Sequence, residues 1–276
     1  MIRVILISYF LLVISASAQE NPITFDKEII YKVVYQPDST NKDDTKDEYA
    51  ELRLNDTVSI FRTIATGRLD SAAHNAQKGN SGGLPSSFYA DNITDIHYTI
   101  VKKKDSIIHQ EVLHPDLFHS YYYSEPKDIL KWEIKPDTMI IENMLCQKAT
   151  VALGGRKWIA WFAQDIPLPE GPYKFCNLPG LILSAYDDQG HWRFDIITIN
   201  LNKHGKSWLH TPNGPPPLNT NKKDFFEKKV YLRANLFELL SAEGRFRGVK
   251  PERLEKTRKF YQNESNRDNN WIELYP

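Results

Sequence analysis

The chain has 276 residues, 35 of them basic and 35 acidic, and this balance gives it no long-range attraction to phosphate polymers or anionic membrane surfaces. Nucleic acid is thereby set aside as a partner. Aromatic residues make up 12% of the chain, which suits the half-buried faces of pleated sheets.

Arg3 supplies a short positive region, Val4 to Ile14 is nearly unbroken apolar sequence, and Ser15-Ala16-Ser17-Ala18 offers small residues to signal peptidase. Residues 1–18 therefore read as an export signal, with Gln19 as the first mature residue. The segment is too short to span a ~30 Å hydrocarbon core, and no later stretch carries ~18 uninterrupted apolar residues. No stable transmembrane insertion is expected after cleavage, and without a cysteine behind the cleavage region no lipid anchor is expected either. The expected destination is the periplasm or the exterior, with outer-membrane association left open. The remaining stretch, 19–276, about 258 residues, suits a single β-rich domain.

Ile29 to Tyr35 is the first candidate strand and stops at Pro37 and the polar run Asp38 to Glu48. Tyr49 to Leu54 and Thr57 to Ile64 follow around Asn55-Asp56, a turn-forming pair. Between Gly67 and Ser87 strand character is lost. Ser71 to Lys78 suits a short helix, and Gly79-Asn80-Ser81-Gly82-Gly83 suits a surface loop, since it lacks the Gly-Lys-Ser or Gly-Lys-Thr ending of a phosphate loop. Ile93 to Val101 and Ser106 to Leu113 form a hairpin with Lys102-Lys103-Lys104 and Asp105 as its solvated tip.

Further strands are expected at Ile129 to Ile134, Thr138 to Ile141 and Cys146 to Leu153, with Gly154-Gly155 reversing the chain into Lys157 to Phe162. Leu181 to Tyr186 and His191 to Ile199 make another hairpin, in which Trp192, Phe194, Ile196 and Thr198 share one side. Pro212 and Pro215-Pro216-Pro217 form a stiff connection. Lys222 to Ala242 places Phe225, Phe226, Val230, Leu232, Leu236 and Leu239 on one helical contact face, Gly244 ends it, and Pro251 starts another helix through Phe260. Trp271 to Tyr275 is extended, aromatic and suited to docking back on the domain. The expected class is mainly β (α+β): a curved antiparallel sheet or open half-barrel, with helical elements at about 221–260.

Cys146 and Cys176 permit one intramolecular pairing. Export makes a disulfide chemically allowed, and it would disfavour unfolding by roughly 3 to 4 kcal/mol; reduced buried thiols are the alternative. Gly171-Pro172 and Pro179-Gly180 flank Cys176, and Pro179-Gly180 suits a type II turn. Such a turn either presents Tyr173 and Phe175 to a groove or guides Leu181 to Leu183 back into the core.

The order Cys146, Lys148-Ala149-Thr150, Gly155 to Phe162, Ile166-Pro167, Gly171-Pro172 and Asn177-Leu178-Pro179-Gly180-Leu181-Ile182 resembles the GLPGLI family of exported Bacteroidetes proteins. The likeness is motif-specific across residues 146–183 and extends more weakly from the first mature strand to Trp271-Ile272-Glu273-Leu274. Asn177 replaces the first glycine of the motif that names the family; asparagine also tolerates left-handed backbone angles. The resemblance implies a secreted or periplasmic β protein and names no ligand or reaction; separately, and on fold analogy alone, an open curved sheet covered by helices is expected, similar in outline to periplasmic lipoprotein carriers.

No metal or cofactor is assigned. His109, His114 and His119 with Asp116 come nearest to a ligand set, but steps of five share neither a helical face nor one side of a strand, and Pro115 interrupts them. Asp187 and Asp188, near His191 and Asp195, read as turn-forming and solubilising. A His-Glu-x-x-His helix and a Gly-x-Ser-x-Gly elbow are both missing, so no catalytic residue is assigned. The reading that follows is an exported, envelope-associated binding module. It captures an apolar ligand or peptide beside Trp158, Trp161, Tyr173, Phe175 and Trp192, with an envelope protein, peptide or lipid as partner. A structural adaptor recognising an exposed sheet edge and a hydrolase whose site assembles only on folding are the alternatives.

Overall fold

The computed structural model describes residues 21–78, 84–113, 120–209 and 215–276. The expected export signal at 1–18, the glycine cluster at 79–83, Pro212, and His114, Asp116 and His119 lie outside the described residues.

Alternating burial defines the first long strand. β1 (Ile23–Phe25) leads into β2 (Lys27–Tyr35), in which Ile29, Tyr31, Val33 and Tyr35 are buried in turn. β3 (Lys46–Leu54) and β4 (Ser59–Thr63) reverse around Asn55, whose side-chain oxygen accepts from the Thr57 and Val58 amides, and α1 (Ile64–Lys78) continues directly from β4. After α2 (Ser86–Ala90) come β5 (Tyr98–Lys102), β6 (Ser106–Val112) and β7 (Ser120–Pro126). The chain then forms β8 (Glu133–Ile141), β9 (Met144–Leu153), β10 (Arg156–Ala163), β11 (Leu181–Asp187) and β12 (Trp192–Asn200). β13 (Gly205–Ser207), β14 (Leu218–Asn219), α3 (Lys222–Ala234), α4 (Leu236–Ala242) and α5 (Pro251–Arg267) complete the described elements.

β1 pairs with β13, and the other described strands form one twelve-stranded sheet in the order β14-β7-β6-β5-β4-β3-β2-β12-β11-β10-β9-β8. It consists of two antiparallel meanders, β2 to β7 and β8 to β12, joined where β2 pairs with β12; β14 runs parallel to β7. Residues 127–132 carry the chain from β7 to β8, although these strands lie ten positions apart in the sheet. In a flat sheet ten spacings of ~4.8 Å amount to about 48 Å. The link reaches at most about 25 Å, so the sheet must curl strongly. Phe61 on β4 and Phe194 on β12 show the same curvature: their strands are three places apart, yet the ring centroids are 6.0 Å apart. The sheet is not closed into a barrel, and β14 and β8 are its outer strands. The expected class, β-dominant with helices concentrated near the C-terminus, is the one observed.

The curled sheet wraps a core in which Phe175 packs on Trp158 at 4.8 Å, Trp132 at 5.9 Å and Phe194 at 6.3 Å between centroids. Gly154 and Gly155, at φ +58° and +80°, make the expected two-residue reversal between β9 and β10. Gly180 has a different role from the expected type II turn. Its φ is not positive, and a Cβ there would lie 2.1 Å from the Ala163 carbonyl oxygen, so glycine is required for backbone approach. Other boundaries moved as well. The single helix expected over Lys222 to Ala242 breaks at Asn235, Val230 is exposed and not on the contact face, and a register shift after Ile196 turns Thr198 away from the buried side of β12. Among the described residues no helix is long and apolar enough to cross a membrane.

The expected disulfide is overturned. Cys146 and Cys176 are free, buried and far apart. Cys146 lies opposite Ala163 in the β9–β10 ladder, whereas Cys176 pairs with Glu170 inside the 164–180 connection, and burial pushes both thiols up. In native protein neither thiol should react with a thiol-specific chromogenic reagent within minutes; both should react after denaturation without reductant. A single disulfide-linked, non-titrating pair in the unfolded sample would contradict the structure.

Candidate functional site

The 164–180 connection is held from below by a buried cation. Lys102, almost fully buried, donates to the carbonyls of Gly171 (2.7 Å) and Phe175 (3.2 Å) and pairs with Glu170 (2.7 Å). The solvated hairpin tip expected at 102–105 is exposed at Lys103, Lys104 and Asp105, whereas Lys102 is buried. Within the connection, Tyr173 and Asn177 adopt left-handed φ values of +51° and +71°. This geometry is uncommon for an aromatic residue, and it is consistent with asparagine at position 177.

Turning the backbone at Tyr173 sends two side chains into a buried polar network. Tyr173 Oη donates to Glu273 Oε1 at 2.6 Å, and Lys174 Nζ donates to Tyr123 Oη at 3.0 Å while pairing with Glu125 and Glu273. Lys222, from α3, reaches the same two carboxylates at 2.8 Å each. Burial alone would raise the Glu273 carboxyl, but Lys174 and Lys222 outweigh it and hold it at about 2. Beside this group His109 stacks on Tyr123, with centroids 5.0 Å apart, and bonds Glu111 through Nε2 at 2.9 Å. Burial lowers the His109 pKa, so the ring is neutral near pH 7 and Nε2 donates to the carboxylate. Glu111 is buried too, yet Lys229 at 2.7 Å and His109 bring it down to about 2.

A second clamp fixes the tail that carries Glu273. Arg156 donates to Asp187 (2.7 Å), to Asn270 Oδ1 (2.7 Å) and to the carbonyls of Trp271 and Ile272. Asp187 is buried and accepts from the Trp192 amide, so it is structural rather than solubilising; Asp188 is exposed. The Leu274 amide donates to Gly154 O at 2.7 Å, and a Cβ on Gly154 would collide with the Glu273 backbone. Residues 270–275 thus dock on the domain, as expected from their composition, but they bend at 272–274 where extended chain was expected.

With the tail in place, the end of the curled sheet and the C-terminal helices enclose a cleft. Its inner chamber, about 100 Å³, is walled by Tyr35 and Trp192, stacked at 4.9 Å, and by Tyr98, Glu111, Lys229 and Trp271. It shares Tyr35, Pro37, Asp95, His97, Arg233 and Asp268 with an outer cleft of about 670 Å³, whose apolar lining is Leu236, Leu240, Phe246, Phe260 and Tyr261. The aromatic residues singled out in the sequence are distributed unevenly around it. Trp158, Tyr173 and Phe175 are fully buried core, Trp161 is nearly so with its indole donating to Tyr186, and Trp192 alone of the five lines the chamber. Gly171, Pro172, Asn177, Pro179 and Gly180 shape the connection beneath it. Tyr98, Lys229, Arg233 and the Asp268 to Trp271 stretch carried no sequence signal for this role beyond the aromatic tail. Among the described residues no group of three or more metal-ligating side chains converges.

Comparison with known proteins is sparse. A family model described as a protein of unknown function (Porph_ging) matches residues 153–184, overlapping most of the 146–183 motif block. No curated protein matches the chain. Structures of PNGF-II in the C2 and P21 space groups are similar with TM-scores of 0.48 and 0.49, at 11% and 10% identity and over 76% of this chain. The matched region is 33% and 34% of those chains, so this chain spans about a third of the length of the solved proteins it matches.

The ionic network makes a pH-dependent prediction. A carboxylate held below its ordinary value adds stability above the unfolded pKa of about 4.5, and this is lost as pH falls toward the folded value of about 2. Glu273→Gln leaves Lys174 and Lys222 without their shared carboxylate and should cost about 3 to 5 kcal/mol at pH 7. Urea unfolding at stepped pH should show the gap between the two proteins narrowing below about pH 4.5; a constant gap would remove Glu273 from this role.

Proposed function

We propose that this chain is an exported, noncatalytic binding module of the GLPGLI type, and that its ligand occupies the cleft between the open end of the sheet and the C-terminal helices. The observation that carries this reading is the cleft's construction: an outer space in which apolar side chains of α4 and α5 lie among charged ones, joined to a smaller chamber walled by aromatic and charged residues, within the volume range of small-molecule sites. Export rests on residues 1–18, and the family on the 146–183 block. The buried acids and bases support binding rather than reaction, because Lys174, Lys222, Glu125 and Glu273 are committed to one another and to the tail.

A second reading, an adaptor, has its own observation. β8 is an outer strand that is exposed along most of its length, with Ile134, Met139 and Ile140 turned outward beside Leu145 of β9. Backbone pairing of an extended partner with this edge is the physical basis for it.

The neutral dye N-phenyl-1-naphthylamine tests the cleft. Leu240→Asp should weaken its binding about tenfold or more, since a carboxylate among the apolar side chains must be desolvated with the dye. Ile140→Lys should leave dye binding unchanged. Dye binding that is undetectable, or equal in the Leu240→Asp protein, would sink the cleft reading, whereas a partner association lost only in Ile140→Lys would establish the edge reading.

A further inference from the structure

β8 is the longer of the two outer strands of the sheet, and its halves differ. In the first half Lys135, Pro136 and Asp137 stand opposite Lys148 alone, between the Ile134–Ala149 and Thr138–Gln147 pairs. Such a bulge, a proline without an amide donor and neighbouring charges all hinder an edge from pairing with another chain. The second half, Thr138-Met139-Ile140-Ile141, has none of these. It is uncharged and rich in strand-forming residues, and Thr138, Met139 and Ile140 are exposed. Ile140 is 71% exposed, and Leu145, opposite it on β9, is 60% exposed.

The hairpin fixes which backbone groups this half leaves open. Glu142 and Asn143, at φ +47° and +62°, form the two-residue turn between β8 and β9. The flanking pair Ile141–Met144 therefore exchanges both of its bonds, and by antiparallel alternation so does Met139–Cys146. The N–H and C=O of Thr138 and Ile140 accordingly point away from β9, toward the open edge. A donor and an acceptor repeated two residues apart are complementary to their own copy turned about a two-fold axis. With Met139 of each copy on that axis, Thr138 of one chain exchanges N–H···O bonds with Ile140 of the other, and the reverse. The same register sets the bulge that carries Lys135 in each copy alongside the Glu142-Asn143 turn of the other. Lys135 is engaged only in a surface pair with Glu133 (2.8 Å), an interaction of small net worth, and Glu142 is exposed, so the two can meet across the axis.

We infer that this chain forms a two-fold homodimer in which the Thr138–Ile141 segments of two copies pair antiparallel and join their sheets. The inference rests on the edge reading, to which it gives one occupant, and is independent of the cleft. Because the contact is confined to half a strand it belongs with small, reversible interfaces, dissociating on the order of tens of micromolar. A two-fold contact uses the same edge on both copies, so assembly closes at the dimer and does not grow into a fibre.

Sedimentation equilibrium of the full chain over a concentration series should give a reversible monomer–dimer equilibrium. Lys135→Glu and Glu142→Lys should each weaken dimerisation about threefold or more, and the double variant, which restores opposite charges across the axis, should recover it. Met139→Cys puts two sulfurs at a non-hydrogen-bonded pair with Cα atoms about 4.5 Å apart, a separation that a disulfide spans. Mild oxidation of that native protein should link it into covalent dimers, whereas Val230→Cys, exposed on α3, should remain single chains. The natural cysteines are buried and do not compete. A chain that stays monomeric throughout overturns the inference, as does a dimer indifferent to both charge reversals whose Met139→Cys form links no faster than Val230→Cys. Either result leaves the edge reading standing, since that reading falls only if no unlike partner is lost in Ile140→Lys. Should a charge variant fail to fold, the mass of the unmodified protein and the cysteine comparison still decide.

Discussion

The short link between β7 and β8 constrains everything else in this molecule. Because residues 127–132 join strands near opposite ends of a twelve-stranded sheet, the sheet has to bend until those ends approach each other. Curvature brings β4 and β12 within ring contact across the interior and creates a volume that side chains of the sheet alone do not fill. The 164–180 connection fills it. Phe175 supplies the central ring, Cys176 O accepts from the Trp132 indole, and Asn177 donates to Lys127 O, so the connection ties down the very link that forces the bend.

Filling an interior with irregular backbone exposes polar groups to a dry environment, which explains why lysines occur there. Lys102 satisfies two carbonyls of the connection, and Lys174 leaves the connection to meet the tail through Glu273. Such buried ion pairs contribute little net stability compared with well-packed apolar groups, while breaking one is costly. Their consequence here is geometric: Tyr173 is held at a left-handed φ, and the tail is held in one place beside the sheet. The inner chamber then takes one wall, Asn270 to Ile272, from that placement.

Much of the fold was legible because the information is local. Gly154-Gly155, Asn55-Asp56 and the Asp187 to Gly190 turn announce their hairpins, and the alternation of Ile29, Tyr31, Val33 and Tyr35 announces a half-buried strand. β7 was not anticipated, since Tyr121-Tyr122-Tyr123 carries no alternation to read. α1 was expected to begin only at Ser71, whereas it grows directly out of β4 at Ile64. Lys102 looked solvated because it belongs to a run of three lysines; the carbonyls that bury it are 69 and 73 residues away. The cysteine pairing failed for a related reason, as two residues on or near strands of one sheet need not be neighbours in it. The aromatic set was read as a possible contact surface, yet alternation cannot tell a packed core from a lined cavity, and four of the five residues are core or nearly so. Tyr98, Arg233 and Trp271 meet only through tertiary structure, so no spacing in the chain connects them.

The docking of residues 270–273 also sets what the rest of the interior needs for completion. Without this segment the Arg156 guanidinium loses Asn270 and the Trp271 and Ile272 carbonyls, and the Tyr173 phenol loses Glu273. These contacts join residues 116 and 100 positions apart in the chain, so the last polar groups of the interior are satisfied only when long loops have closed, and not by the hairpins alone.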